Sequence, residues 1–286
     1  MFSQERPFTD WHLTGFGSAP AFLFKTLEST HSLMKQQAAA GEIAPGTLMV
    51  ADTQTKGRGR HERTWDSPAG KNLYFNVLIP LDGIPANRFA QITQIAALTF
   101  AETFNSEMRT EGTPKITVKW PNDILYGKSK FCGILAEVVY ARTQTPNIGS
   151  SPRPALNMGV GINVNSDPED YAHLNREVTT LKAIAGRPIN REVLLKMLIG
   201  NLERAVGQFK AFGIRPWVDA WKRMDKFIGA RGTIVVNNRC TDQNRDSGEG
   251  SVKKTGTILD MQDDGSLLFK CDDGTVESVL SADLEI

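Results

Sequence analysis

The sequence predicts an α+β fold with a small β-rich domain at its C-terminus. Over the first 225 residues, helix and strand patterns are mixed, and the turn-forming run Pro121-Asn122-Asp123 joins two strand patterns. After about Asp225 only short strand patterns follow, separated by the turn pairs Asp264-Gly265 and Asp273-Gly274. Hairpin turns join antiparallel strands, so a mixed sheet is expected rather than a doubly wound parallel one.

The first half of the chain is predicted to contain two helices among six strands. Ser29 and Thr30 can cap the first helix, and Gly41 can end it. Apolar residues recur every three or four positions in the second helix, while the third strand alternates apolar and more polar residues, as a half-buried strand does. The predicted helices are His31–Ala40 and Arg88–Asn105, and the predicted strands are Phe22–Leu27, Leu48–Ala51, Leu73–Ile79, Ile116–Trp120, Phe131–Tyr140 and Ala155–Val164.

The second half contains the clearest amphipathic helix. Apolar residues recur at helical spacing between Val193 and Phe209, with Asn190 as the N-cap and Gly213 at the end. Polar composition predicts two long loops, at 143–154 and 237–255. The strands predicted for the last part of the chain are Thr233–Val236, Thr257–Leu259, Leu267–Lys270 and Val276–Leu280.

These patterns divide the chain into three parts. Residues 1–20 show no periodicity and are interpreted as an N-terminal arm. Residues 21–226 form the main α+β domain, and residues 227–286 form a small β-barrel. One large domain and one small one fit 286 residues, because a domain usually takes roughly 100–200.

Composition excludes several classes of protein. Hydrophobic residues make up 40% and charged residues 23%, which is typical of a globular protein. The net charge of +1 argues against general nucleic-acid binding, which needs surplus cations. Three widely spaced cysteines provide neither a CxxC metal pattern nor a disulfide framework. No signal peptide and no membrane span are predicted, so we expect a cytoplasmic protein.

The segment TKGRGRHERTWDSPAGK, at 55–71, is the strongest sign of a binding site. Arg58, Arg60 and Arg63 alternate with glycines or follow them closely, and Trp65 comes next. Glycine allows a backbone to approach a ligand closely, and arginine presents a planar fork of donors to phosphate or carboxylate. A solvated basic loop is the alternative. The combination favours a mobile loop that grips an anion.

The segment KWPND, at 119–123, is the second candidate. Lys119 lies in an otherwise apolar strand, where an inward lysine is costly unless it meets an anion. Pro121 is interpreted as a turn former. For Asp123, two roles are equally compatible with the sequence: a hydrogen bond to nearby backbone, or a position beside ATP or its magnesium ion.

Two weaker signals complete the set. Gly159 and Gly161 lie inside a strand, where glycine marks a bulge or a close approach of a ligand. Ser29 and Thr30 precede a helix, where hydroxyls cap the helix and can also contact a small ligand.

Taken in order, these motifs resemble those of the biotin protein ligases from about Phe22 to the C-terminus. The motifs that carry the resemblance are Ser29-Thr30, Gln54, Gly57-Arg58-Gly59-Arg60 with Arg63 and Trp65, Lys119-Trp120-Pro121-Asn122-Asp123, Lys130 with Gly133-Ile134-Leu135, and Gly159-Val160-Gly161-Ile162-Asn163. The resemblance implies a mixed-sheet catalytic domain like those of class II aminoacyl-tRNA synthetases and lipoate ligases, followed by an SH3-like domain.

The resemblance also implies a reaction in two steps. Biotin and ATP would form biotinyl-5'-AMP and pyrophosphate, with Mg²⁺ as the accompanying ion. A lysine of a biotin carboxyl carrier protein, a subunit of acetyl-CoA carboxylase, would then take the biotinyl group and release AMP. A monomer or a homodimer is expected.

Specific residues follow from the same resemblance. Lys130 and Arg60 would be catalytic, and the metal ligands cannot be assigned. The biotin site would comprise Ser29, Thr30, His31, Gln54, Gly57, Arg58, Gly59, Arg60, Lys130, Gly133, Leu135, Gly159 and Gly161. The ATP site would comprise Arg63, Trp65, Lys119, Asn122, Asp123 and Asn163.

The sequence departs from the family pattern at three places. His31 stands where many relatives carry asparagine, and His61 stands where a basic residue is frequent. About twenty residues precede the first strand, too few for a winged helix-turn-helix, so no DNA binding is expected.

Three other functions are compatible with parts of the sequence. A lipoate or octanoate transferase of the same fold would be expected to lack the Gly-Arg-Gly-Arg and Lys-Trp-Pro-Asn-Asp motifs together. An RNA-binding module would be expected to show a more basic chain and a cluster of aromatic residues. A biotin sensor without ligase activity remains an alternative, although Lys130, Arg58 and Arg60 are present.

Overall fold

The protein is described by a computed structural model, which covers residues 6–61, 63–108, 116–142, 152–174, 176–237, 251–280 and 282–286. A seven-stranded mixed sheet forms the main body, in the strand order β1-β2-β3-β7-β6-β5-β4. Only β1 and β2 run parallel, and the other pairs are antiparallel. Its strands are β1 (Ala21–Leu27), β2 (Leu48–Gln54), β3 (Leu73–Pro80), β4 (Ile116–Lys119), β5 (Asp123–Tyr126), β6 (Ser129–Ala141) and β7 (Arg153–Ile162).

The predicted helices and their caps are confirmed. The Ser29 hydroxyl accepts the Ser32 N–H, and Gly41 ends the first helix with φ +75°. The Asn190 side chain accepts the Val193 N–H at 3.1 Å. The helices are α1 (Thr30–Ala40), α2 (Phe89–Glu107), α3 (Leu181–Ala185), α4 (Arg191–Phe212) and α5 (Arg215–Met224).

The third strand is buried on both faces, so the prediction of a half-buried strand was wrong. On one face Phe75 meets Phe100 of α2, with ring centroids 6.4 Å apart. On the other face Leu78 packs in a cluster with Met34 and Ala38 of α1. The alternation of apolar and polar residues suggested that Asn76 faces solvent. Asn76 is instead fully buried and makes hydrogen bonds inside the protein.

The C-terminal part forms a five-stranded antiparallel sheet, in the order β11-β10-β9-β8-β12, consistent with the predicted SH3-like domain. Gly265 and Gly274 make the predicted turns with φ +80° and +89°. The C-terminal strands are β8 (Arg231–Asn237), β9 (Ser251–Met261), β10 (Leu267–Cys271), β11 (Val276–Val279) and β12 (Asp283–Glu285).

Several elements differ from the predicted boundaries. β5, β12, α3 and α5 were not predicted. β5, β12 and α3 are only three to five residues long and carry too few positions to show a periodicity, whereas α5 spans ten residues and was missed. Residues 251–255 belong to β9 and residues 153–154 to β7, although loops were predicted there. The rest of those two predicted loops, 143–151 and 238–250, lies outside the described residues.

The N-terminal segment packs on the main body. Trp11 and Phe16 belong to the hydrophobic core, and Arg6 forms an ion pair with Glu192 of α4. The two sheets are also in contact, because Gln94 and Trp120 both donate hydrogen bonds to the carbonyl oxygen of Gly265. Among the described residues, no helix is long and apolar enough to cross a membrane.

Candidate active site

An open cleft lies where the start of α1, the segment 55–71 (called the basic segment below) and strands β5, β6 and β7 meet. Its empty space, including the open mouth, is about 760 Å³. Sixteen of the predicted site residues line it: Ser29, Thr30, His31, Gln54, Arg58, Gly59, Arg60, Arg63, Trp65, Asn122, Asp123, Lys130, Gly133, Leu135, Gly159 and Gly161. Residues 130 positions apart in sequence therefore share one cavity.

A network of neutral polar groups forms one end of the cleft. The Thr30 N–H donates to Gln54 Oε1 at 2.8 Å, and the Thr30 hydroxyl donates to Asn76 Oδ1 at 2.7 Å. Asn76 Nδ2 in turn donates to Asn157 Oδ1 at 2.7 Å. Such fixed, neutral donors and acceptors suit an uncharged polar ligand group. Sequence reasoning missed Asn76, because its alternation in the strand looked like a solvent-facing position.

His31 extends this network toward the surface. Its Nδ1 lies 3.2 Å from Asn76 Nδ2, and its Nε2 lies 3.3 Å from Glu137 Oε2. An amide nitrogen only donates, so Nδ1 is the acceptor and the ring proton is on Nε2, directed at Glu137. Burial lowers the pKa of His31 below its ordinary value, although Glu137 opposes this shift.

Glycines form the narrow part of the cleft. A Cβ at Gly161 would lie 2.4 Å from Cε2 of Trp65, and one at Gly159 would lie 3.0 Å from the Asn76 amide. Gly133 is enclosed by Trp65 and the end of the Lys130 side chain. Trp65 Nε1 is buried without a hydrogen-bond partner among the described residues. The indole therefore packs directly on the backbone of β7 because glycine stands there.

The basic segment folds back on itself at the mouth of the cleft. The Trp65 N–H donates to the Gly57 carbonyl at 2.9 Å, and the Gly59 N–H donates to the Arg63 carbonyl at 2.7 Å. A Cβ at Gly57 would lie 2.3 Å from the Trp65 carbonyl oxygen. Gly57 therefore permits this fold and does not itself line the cleft, contrary to its predicted place in the biotin site.

Two carboxylates neutralise the principal cations of the cleft. Lys130 Nζ lies 2.6 Å from Asp123 Oδ1 and 5.6 Å from the centre of the Trp65 ring. Arg60 Nη1 lies 3.2 Å from Asp283 Oδ1 of β12. It also donates to Asn122 Oδ1 at 3.2 Å. Lysine and arginine thus approach the same cleft from β6 and from the basic segment, as an anion-binding site requires.

Two further predicted residues lie outside the cleft. Lys119 Nζ lies 5.9 Å from the centre of the Phe227 ring, and Lys119 does not line the cavity. Burial lowers its pKa, opposed by Asp123. Asn163 lines a smaller neighbouring cavity, which shares Trp65 and Lys130 with the cleft. Neither Lys119 nor Asn163 lines the main cavity, and their assignment to the ATP site stays a prediction.

Six residues that line the cleft were not predicted as site residues: Thr64, Asn76, Ile134, Val160, Arg176 and Asp283. Arg176 also lines the smaller neighbouring cavity, so it adds a cation where the two cavities meet. Asp283 comes from the opposite end of the chain, and no local pattern in the sequence marks it. In the part of the chain that the structure describes, no cluster of three or more His, Cys, Asp and Glu side chains is arranged around a metal position.

Comparison with known proteins agrees with this arrangement. The model of the biotin/lipoate A/B protein ligase family matches residues 23–149. The bifunctional ligase/repressor BirA of Escherichia coli is 31% identical over 199 residues, 70% of this chain, and the chain spans 58% of the length of that relative. The biotin–[acetyl-CoA-carboxylase] ligase of Paracoccus denitrificans is 30% identical over 241 residues, covering 82% of this chain and 89% of the relative.

A solved structure shares the fold. The biotin protein ligase of Aquifex aeolicus, in complex with biotin and ATP, superposes with a TM-score of 0.71 at 24% identity, covering 93% of this chain and 97% of the other. The mixed-sheet architecture is thus that of a biotin protein ligase. Because the Paracoccus relative is matched over most of its own length as well, this chain belongs to the biotin/lipoate A/B protein ligase family and, within it, to the biotin protein ligases.

Proposed function

We propose that this chain is an ATP-dependent ligase that activates biotin as biotinyl-5'-AMP and transfers the biotinyl group to a lysine of a carrier protein. The observation that carries the proposal is the placement of Lys130 and Arg60 in one cleft with the neutral network of Thr30, Gln54 and Asn76. A neutral polar end and a cationic end match a ligand with a ureido ring at one end and a carboxylate at the other.

The neutral end suits the ureido group of biotin. Its carbonyl needs donors and its two N–H groups need acceptors, and the side chains of Ser29, Thr30, Gln54 and Asn76 supply both kinds. The rings and the aliphatic chain of biotin would then lie along Gly133, Leu135, Gly159 and Gly161. Because glycine has no side chain, the ligand can lie directly on the strand backbone there.

The cationic end suits the first chemical step. A biotin carboxylate oxygen attacks the α-phosphorus of ATP, a new P–O bond forms, and the bond to pyrophosphate breaks. Placing two unit negative charges about 4 Å apart costs roughly 4 kcal/mol at an effective dielectric constant of 20. Lys130, Arg58 and Arg60 would offset this repulsion and stabilise the charge that builds up in the transition state.

The second step transfers the biotinyl group. The neutral ε-amine of the acceptor lysine attacks the biotinyl carbonyl carbon, an amide bond forms, and AMP leaves with the electrons of the broken bond. The amine loses one proton to solvent.

We propose as partner a biotin carboxyl carrier protein, because the Paracoccus relative carries the name of an acetyl-CoA-carboxylase ligase. With ATP and a carboxylase subunit as substrates, we place the reaction in the cytoplasm.

We assign the ATP-binding part of the cleft to Arg63, Trp65, Asn122 and Asp123. We propose that Mg²⁺ enters with ATP as its substrate complex. The Asp123 carboxylate is partly exposed in the cleft and is the kind of hard oxygen ligand that Mg²⁺ accepts together with phosphate oxygens.

We further propose that residues 21–226 form the catalytic domain and residues 227–286 the C-terminal domain, since α5 ends at Met224 and β8 begins at Arg231.

Two measurements test this function. Incubation with biotin and MgATP should release pyrophosphate, and addition of a carrier domain should yield AMP together with a mass increase on one carrier lysine. Lipoate and octanoate serve as competing substrates in the same assay. Equal turnover of lipoate would overturn the substrate assignment. Release of pyrophosphate without any transfer to a carrier would instead support the alternative of a biotin sensor.

A further inference from the structure

A series of hydrogen bonds links Glu137, which does not line the cleft, to the polar network inside it. Glu137 of β6 pairs in register with Asn157 of β7, so the two side chains lie on the same face of the sheet, under α1. Asn157 Nδ2 donates to the His31 carbonyl oxygen at 2.9 Å. Glu137 Oε2 lies 3.3 Å from His31 Nε2. His31 is therefore bound at its backbone by Asn157 and at its ring by Glu137.

These bonds allow only one arrangement of protons. Because the Asn157 amide donates to a backbone carbonyl, its oxygen faces Asn76, 2.7 Å away, and Asn76 presents its Nδ2 there. The same Nδ2 lies 3.2 Å from His31 Nδ1, so this ring nitrogen is an acceptor. The Asn76 oxygen accepts the Thr30 hydroxyl at 2.7 Å. The proton of the neutral His31 ring is thus on Nε2, where Glu137 accepts it.

Burial makes the carboxylate necessary for this arrangement. The His31 side chain is 6% exposed, and a buried N–H group without a partner is costly. The second carboxylate oxygen of Glu137 accepts a hydrogen bond from Lys35 of α1. Since Glu137 lies outside the cleft, it can influence a bound ligand only through His31.

We propose that Glu137 is a positioning residue for biotin. Its carboxylate holds His31 in the Nε2–H tautomer, and His31 and Asn157 together fix the ends of the Asn76 amide at the polar end of the cleft. A ureido ring needs donors and acceptors in fixed places, so a reversed amide would present a donor where an acceptor is required. That the ligand is biotin rests on the proposed function, whereas the tautomer of His31 does not depend on it.

The test compares Glu137→Gln, Glu137→Leu and Glu277→Gln. Glutamine keeps an oxygen that can accept the Nε2 proton but carries no charge, whereas leucine removes the acceptor. Glu277 is the matched control: it lies on β11 of the other sheet, its side chain is 35% exposed against 39% for Glu137, and it also pairs with a lysine, Lys254. It does not line the cleft.

Two properties are measured. The first is the NMR shift of both ring nitrogens of His31 without ligand, assigned with His31→Gln. The second is the dissociation constant of biotin, by calorimetry. At neutral pH the wild type, Glu137→Gln and Glu277→Gln should show the Nε2–H tautomer and similar affinities. In Glu137→Leu the ring should show a mixture of tautomers, and biotin should bind about tenfold more weakly, because a buried donor has lost its partner.

The pH dependence separates the charge of Glu137 from its hydrogen bond. The charged groups that face the ring are Glu137 from β6, Lys35 from α1 and Arg58 from the basic segment. Burial and the two cations lower the pKa of His31, and Glu137 raises it. Without this negative charge the pKa should fall further, so biotin binding to Glu137→Gln should persist to a lower pH than in the wild type. A glutamate that only supports the fold would not extend binding toward acid.

Either of two results overturns the positioning role: unchanged ring-nitrogen shifts and biotin affinity in Glu137→Leu, or a pH profile of Glu137→Gln that coincides with that of the wild type. If Glu137→Leu does not fold, the pH profile of Glu137→Gln decides alone. If the wild type binds no biotin, the proposed function fails. The ring-nitrogen shifts of the ligand-free protein then still decide whether Glu137 holds His31 in one tautomer.

Discussion

The indole of Trp65 lies on Gly161, so close that a Cβ at that glycine would be 2.4 Å from Cε2. The contact joins the basic segment to the centre of the large sheet and places the ring next to Lys130. Two residues 96 positions apart thus set the width of the cleft, and the ring separates it from the smaller neighbouring cavity.

Gly161→Ala should displace Trp65 and narrow the cleft. The added methyl group overlaps the ring, so the indole must move, and we expect kcat/KM for biotin to fall by about tenfold or more. Steady-state kinetics and the shift of tryptophan fluorescence measure this change. Gly207→Ala is the control: Gly207 lies in α4 with no atom near its Cβ position, and alanine there should stabilise the helix by about 0.5–1 kcal/mol. Unchanged kinetics in Gly161→Ala would show that the width of this slot does not limit biotin binding.

Lys130→Ala should slow the formation of the adenylate far more than it weakens the binding of biotin. A cation that acts on the charge of the transition state contributes little to the ground state, and removing one such donor typically costs about 10²–10³ in rate. Single-turnover release of pyrophosphate reports the rate, and calorimetry reports biotin affinity. Lys128→Ala is the matched control, since Lys128 lies exposed in the turn before β6 and does not line the cleft. Equal losses in rate and affinity would remove the transition-state role of Lys130.

Acid should weaken biotin binding through His31. Burial lowers the pKa of this side chain from its ordinary 6.5. Protonation places a second N–H on Nδ1, opposite the Asn76 amide donor, and breaks the network that surrounds the polar end of the cleft. Since the folded protein binds this proton less readily than the unfolded chain, the free energy of unfolding should also decrease as the pH falls below 6.5.

Calorimetry with biotin between pH 5 and pH 7.5, at constant ionic strength, checks this expectation. The charged groups that face His31 are Glu137, Lys35 and Arg58. His31→Gln should lose most of the acid-dependent fall in affinity, whereas His173→Gln, which alters an exposed histidine paired with Asp66, should keep it. A fall of equal size in His31→Gln would assign the effect to another group.

Local elements were predictable because their causes are local. Ser29 and Asn190 cap their helices through bonds to residues three positions away, and Gly265 and Gly274 form turns with positive φ. The spacing of glycines and arginines likewise predicted that the basic segment is part of a binding site. The short strand β12 left no such mark, because three residues carry no usable periodicity.

The sequence by itself determined the fold class, the family and most of the residues that line the cleft, since caps, turns and motifs depend on side chains close together in the chain. Only the tertiary structure decided that Asn76 is buried in the polar network, that Lys119 lies over the Phe227 ring, and that Asp283 forms an ion pair with Arg60. Each of these depends on which strand lies beside which, and hydrogen bonds and ion pairs act over a few ångströms between residues that the chain separates by dozens or hundreds of positions.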